Sequence, residues 1–166
     1  ARLLAKIMQE PLAALPLPAR GAHMHIVGWG PFEPMAHELR LKAMEVAHMP
    51  ALSHHTEEFL HGPVASLEPG DEVILFEPSP ASLKGTAGKL VTRRHKACER
   101  AALTIGARIS KVKLPHALPP LWQAVLALAH GQRLCLNMAR AKSLNPDRNR
   151  QENPRYLRAF EHCKFK

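Results

Sequence analysis

Two neighbouring runs decide how this sequence folds: Ala36-His37-Glu38-Leu39-Arg40-Leu41-Lys42-Ala43-Met44-Glu45, and then Glu57-Glu58-Phe59-Leu60-His61-Gly62-Pro63. In the first, Met35, Leu39 and Val46 keep a helical period, and Ala36, Ala43 and Ala47 offer close packing, so a helix is expected over 33–46. Glu38, Lys42 and Glu45 follow one another at i, i+4 and i+7 and share one face of that helix. By themselves, Glu38 and Lys42 make a surface ion pair worth roughly a few tenths of a kcal/mol. The second run is one helical turn, with Thr56 as its expected cap and Glu57 and Glu58 favourable near its start, closed by the His61-Gly62-Pro63 turn.

Outward from these runs, strand and helix signals alternate. Residues 1–15 read as a helix with Leu3, Leu4, Ile7, Met8, Leu12 and Leu15 on one face, ended by Pro16 and Pro18. A strand over 23–27 runs into Gly28-Trp29-Gly30-Pro31, and 49–53 is a short extended piece. The Glu68-Pro69-Gly70-Asp71 turn leads into a buried strand over 72–76. A helix over 86–104 is stopped by Gly106, a strand over 108–114 follows, and 115–120 links to the longest helix, 121–144. Asn145-Pro146 ends that helix and leaves an extended basic tail. Strands alternating with long helices predict a three-layer α/β/α fold, a mostly parallel, flavodoxin-like sheet flanked by helices. Ligands of such sheets bind beyond the carboxyl ends of the strands, where Gly28-Trp29-Gly30 and Glu77-Pro78-Ser79 fall.

Composition narrows the function classes. At 166 residues, with 46% apolar and 22% charged residues, the chain is expected to be one globular unit with a sizeable core. No run approaches the roughly 20 apolar residues of a membrane helix, and no secretory leader pattern is present. Cys98, Cys135 and Cys163 have neither CxxC spacing nor an even count, which points to a reducing cytoplasm rather than disulfides or zinc. The net charge of +9 is concentrated late: from Arg133 onward there are nine Lys/Arg against three Asp/Glu. Aromatic residues are only 5% and do not alternate with basic ones, so a phosphorylated small molecule is expected as the anionic partner, not nucleic acid.

Gly28-x-Gly30 lacks the third glycine of a dinucleotide loop, because Glu33 stands there, and an acidic side chain at a helix start is wrong for pyrophosphate. It remains a turn that a different ligand could approach closely. His54-His55 beside Glu57-Glu58 invites a metal, but adjacent histidines seldom face one ion, and neither metal nor cofactor is expected. His23 and His25 alternate on their strand and read as edge or core positions.

Together, the 36–45 run and the Glu58-Phe59-Leu60-His61-Gly62-Pro63 turn resemble the sugar-isomerase (SIS) family, specifically the second SIS domain of glucosamine-6-phosphate synthase and related phosphosugar isomerases and deglycases. Those domains carry an A-x-E-x-x-L-K-x-x-E helix followed by E-[FL]-x-H-G-P. Gly131-Gln132 late in the long helix and Asn145-Pro146-Asp147-Arg148-x-Arg150 are similar to the family's closing helix and N-P-D-x-P-R tail. The resemblance covers about 23–150. It implies a SIS domain over 21–150, the second of a two-SIS-domain protein, between an N-terminal helix and linker (1–20) and a basic tail (151–166).

The resemblance also implies roles. Glu45 matches the glutamate that moves a proton between C1 and C2 of an open-chain sugar phosphate, and His61 the histidine that assists ring opening, often from the neighbouring subunit. Lys42 lies on the glutamate's face. With Glu58, Gly28 and Gly30 it makes up the expected substrate-binding set. Sugar phosphate is the expected partner, with a homodimer or a companion SIS domain. Two departures accompany the match. The slot where the family has its S-x-S-G-E-T phosphate loop reads Glu77-Pro78-Ser79-Pro80-Ala81-Ser82-Leu83, and an acidic Glu77 at that strand end would repel phosphate. The family's imine-forming tail lysine is replaced by Ala159. The alternative is a non-catalytic domain that senses phosphosugars or only dimerises.

Overall fold

The computed structural model describes residues 21–78, 85–114, 118–148 and 150–163. The helix expected over 1–15, the Ser79–Ser82 slot and part of the 115–120 linker lie outside these described residues. Four parallel strands, β1 (Met24–Gly28), β2 (Ala51–His55), β3 (Glu72–Glu77) and β4 (Arg108–Lys113), form one sheet in the order β2-β1-β3-β4. Helices α1 (Glu33–Glu45), α2 (Thr56–His61), α3 (Gly85–Ile105), α4 (Pro120–Ala141) and α5 (Pro154–Glu161) connect and follow the strands.

Side-chain alternation in β1 and β3 divides the core in two. Met24, Ile26, Ile74 and Phe76 point to one face, where Ala36, Leu39 and Ala43 of α1 pack with Ala124, Ala127 and Cys135 of α4. Val27, Val73 and Leu75 point to the other, against Phe59 of α2 and Cys98 and Ala102 of α3. Both faces of the two central strands are therefore covered, which is why β3 reads as an unbroken apolar run. Small residues set the α1–α4 spacing: a Cβ on Gly131 would lie 2.9 Å from Leu39 Cδ1. Gly106, at φ +94°, supplies the left-handed residue that ends α3.

Buried polar groups pin the turns. Asp71, 2% exposed, accepts from the backbone N–H of His23 (2.7 Å) and of Glu68 (2.9 Å), clamping the approach to β3. Buried Glu72 accepts from the Ser110 hydroxyl and pairs with Arg108 at 3.1 Å, tying β3 to β4.

The α2 cap differs from the sequence expectation. His55, not Thr56, is the cap: its Nδ1 accepts from Glu57 N–H at 3.3 Å, and Glu58 Oε2 accepts from His55 N–H at 3.4 Å. Thr56 is already helical and buried, and its hydroxyl donates to the Gly28 carbonyl at 3.0 Å. Thr56→Val should therefore cost about 1 kcal/mol, read as a fall in melting temperature of about 3 °C.

The C-terminal segment also differs from expectation. Instead of an extended tail, 154–161 forms α5, capped by the Asn153 side chain accepting from Arg155 N–H at 3.0 Å, with Pro154 in its first turn.

Candidate functional site

The expected site residues fall into two groups at opposite ends of the sheet. Because α1 starts after the carboxyl end of β1 and returns before β2 begins, its last residue, Glu45, lies at the end where the strands start. There Lys42 Nζ donates to Glu45 Oε2 at 2.8 Å and lies 3.7 Å from Glu38 Oε1, so the three expected residues share one face. The hydrogen bond to Glu45 is the main reason the Lys42 pKa is raised, and the lysine stays cationic.

Glu45 opens on a cavity of about 410 Å³ between the end of α1 and the C-terminal segment, lined also by His48, Met49, Arg150, Tyr156 and Phe160. Arg150 donates to the Tyr156 hydroxyl at 2.5 Å, with its guanidinium 5.0 Å from the ring centroid. Burial and the Arg150 charge lower the His48 pKa, so a neutral imidazole faces the cavity. His48 and Arg150 have φ of +50° and +60°; with Ser143 they are the positive-φ non-glycine residues among those described.

Gly28, Gly30, Glu58 and His61 belong to the other group. Gly28 is a close-approach turn, as expected, but what approaches is the chain itself: a Cβ there would lie 2.5 Å from the Phe32 carbonyl oxygen and 2.9 Å from Glu33 N. Gly30 (φ +50°) faces open space. Their turn brings Trp29 beside His55, Glu57 and Arg94 around a cavity of about 210 Å³. Glu57 is held by Arg94 at 2.6 Å and lies 3.9 Å from His61, whose side chain is 78% exposed. Since α1 packs on one face of the sheet and α2 on the other, Glu45 and His61 of one chain do not meet in a single site.

One expectation about a charged group changes. Glu77 is not free: Lys111 Nζ lies 3.2 Å from it and 2.7 Å from Glu99, so the carboxylate at this strand end is largely offset. Of the two positions expected for His25, edge or core, it takes the core, since β1 lies between β2 and β3. It stacks on His54 (ring centroids 5.3 Å apart) with its Nδ1 3.1 Å from His54 Nε2. His54 and His55 thus point to different tasks, core and cap. No cluster of three or more metal-ligating side chains occurs among the described residues.

Arg150, Tyr156 and Phe160 were not among the expected site residues. The Asn145-Pro146-Asp147 motif reached Arg150, but only the folding of α5 brings Tyr156 and Phe160 to Glu45.

The architecture is the SIS-type fold, and the chain resembles the SIS family in sequence as well as in structure. The sequence likeness is to the glutamine–fructose-6-phosphate aminotransferases (isomerizing). With the protein of Tropheryma whipplei (strain TW08/27) it is 30% identity over 127 residues, covering 70% of this chain and 21% of the relative. With that of Corynebacterium diphtheriae it is 30% over 128 residues, covering 70% and 20%. The chain thus spans about a fifth of the length of the curated relatives it matches. Among solved structures, tagatose-6-phosphate ketose/aldose isomerase of Escherichia coli superimposes with a TM-score of 0.61 at 16% identity, covering 78% of this chain and 38% of that one. Glucosamine-6-phosphate deaminase of Thermotoga maritima gives 0.58 at 20%, covering 89% and 42%. No family model matches the chain.

Proposed function

We propose that this chain is a phosphosugar-binding SIS domain and the glutamate- and histidine-bearing half of an aldose–ketose isomerase or amino-sugar-phosphate deglycase. The observation that supports it best is the Lys42–Glu45 pair at the mouth of a cavity bordered by a cation and a phenol, Arg150 and Tyr156. A carboxylate there can take the C2 proton of an open-chain sugar phosphate and return it to C1. The enediolate formed in between needs positive charge nearby, which Lys42 carries. Arg150 is placed to meet an anionic group of the same ligand.

The separation of Glu45 from His61 agrees with a site completed by another domain, so that each chain lends its glutamate to one centre and its histidine to a second. Leu121 and Trp122 at the start of α4, 65% and 61% exposed, are a suitable surface for a companion SIS domain or a second copy. Three free thiols, two of them buried and pushed up to about 12 by that burial, fit a reducing compartment such as the cytoplasm. Among the described residues no helix is long and apolar enough to cross a membrane.

The test is a thermal-shift series with fructose-6-phosphate, glucosamine-6-phosphate, glucose-6-phosphate and arabinose-5-phosphate beside plain sulfate. At about 100 times Kd, one sugar phosphate should raise the melting temperature by roughly 5–10 °C, and Glu45→Gln should abolish most of the gain. In the assembled enzyme the same substitution should lower kcat about 100-fold or more. Equal stabilisation of both proteins by sulfate would remove the sugar site from Glu45. The second reading, a sensing or dimerising domain, is favoured by the exposure of His61; it predicts the same ligand shift with no turnover in the assembled protein.

A further inference from the structure

A row of like charge lies on α3, the helix whose Arg94 borders the second group described above. Lys89, Arg93, Lys96 and Arg100 follow one another at steps of four, three and four residues, so they form one exposed row. The row spans about 16 Å at 1.5 Å per residue. It borders an open groove of about 720 Å³ whose other lining residues are Gly88, Thr92 and Ala97, with no carboxylate among them. None of the four forms an ion pair with a carboxylate among the described residues, while neighbouring Arg94 and Lys111 do. Like charges at i, i+4 destabilise a helix, so the row carries a cost within α3 itself.

We propose that this row of α3 is a docking face for the phosphate backbone of double-stranded nucleic acid. The chain's charge of +9 makes its long-range field attractive to a dense polyanion, and duplex DNA carries one charge per roughly 1.7 Å of axis. Successive cations about 5–6 Å apart along the helix can each neutralise a phosphate without reading bases. The groove offers no aromatic ring on which a single strand would stack, and no large apolar or aromatic anchor of the kind a protein partner's hot spot requires. The sequence reading expected no nucleic acid because aromatic residues are sparse and do not alternate with basic ones. The row on α3 becomes visible only when helical spacing is combined with the exposure of each position.

The experiment is fluorescence anisotropy of a labelled duplex of about 20 bp, titrated with the whole chain at roughly 50 and 200 mM salt. Four phosphate contacts give a log–log salt slope of about −3.5, hence roughly a 100-fold loss of affinity between those conditions. Arg93→Glu/Lys96→Glu should weaken binding at least about 10-fold at the lower salt and reduce the slope by about 2. Lys89→Gln/Arg100→Gln, a milder pair, should move both quantities in the same direction. Arg155→Glu/Arg158→Glu on α5 removes as much charge elsewhere and should stay within about twofold once its smaller net charge is matched by salt. Circular dichroism checks that each variant is folded. Absence of salt-dependent binding, or equal losses in the α3 and α5 variants, would overturn the proposal. So would tighter binding of poly-glutamate than of the duplex, which would assign the face to an acidic protein.

Discussion

Gly28→Ala is expected to lower stability by about 3 kcal/mol, seen as a fall of roughly 6–12 °C in the calorimetric melting temperature. The new methyl would meet the Phe32 carbonyl oxygen at 2.5 Å, its carbon at 2.7 Å and Glu33 N at 2.9 Å, all backbone atoms of the turn that launches α1. A flexible side chain could move aside, but here the turn itself must shift, and Phe32 is fully buried against Phe76. The controls are Gly62→Ala, where φ is −160° and the Cβ position is open, and Gly30→Ala, where space is free but φ is +50°. Gly62→Ala should be nearly neutral, and Gly30→Ala should lose about 1–2 kcal/mol through conformation alone. If Gly28→Ala melts with Gly62→Ala, the close approach is not a constraint on the fold.

The second large effect is loss of stability in mild acid. Burial, assisted by neighbouring His54 and His23 and opposed by Asp71, lowers the His25 pKa from 6.5 to about 4. Burial also lowers the pKa of His54, against the raising influence of Glu58, and that of His95, beside Glu77 and Lys111. In each case the unfolded chain binds the proton more readily than the folded one. The stabilisation is therefore complete above pH 6.5 and is lost as pH falls towards the folded-state value. For His25 alone the loss should reach about 2 kcal/mol by pH 5, above the range where most carboxylates titrate. Urea unfolding at a series of pH values between about 7.5 and 5 measures it. His25→Asn should flatten the curve by about that amount; a wild-type curve already flat over this interval would mean that the buried imidazoles accept protons without cost.

How far the sequence could be read depended on the range of the interaction behind each feature. Periodicity in 36–45, the Glu68-Pro69-Gly70-Asp71 turn and Gly106 are local signals, and they set α1, the entry to β3 and the end of α3. The unbroken apolar run of β3 likewise announced a strand covered on both faces. Which face each helix would take was not legible, because a helix's apolar stripe says only that it packs, not on which side of the sheet. The motif that links Glu45 and His61 therefore did not reveal that α1 and α2 would lie on opposite faces. The missed α5 is different. It is short, and its one apolar face, Tyr156, Leu157 and Phe160, spans little more than one turn. Asn153 followed by Pro154, a cap and first-turn pair, was a further signal that the surrounding basic composition obscured.

The left-handed backbone at His48 and Arg150 sets up a conflict for any attempt to make this protein sturdier. Glycine is the residue those two positions prefer on conformational grounds, and a screen that rewards heat resistance alone would tend to install it. Each such replacement would also strip the cavity beside Glu45 of a side chain that lines it. Heat resistance and the lining of that cavity therefore pull on the same two positions in opposite directions, and a stabilised version that keeps the cavity is best sought by leaving both untouched.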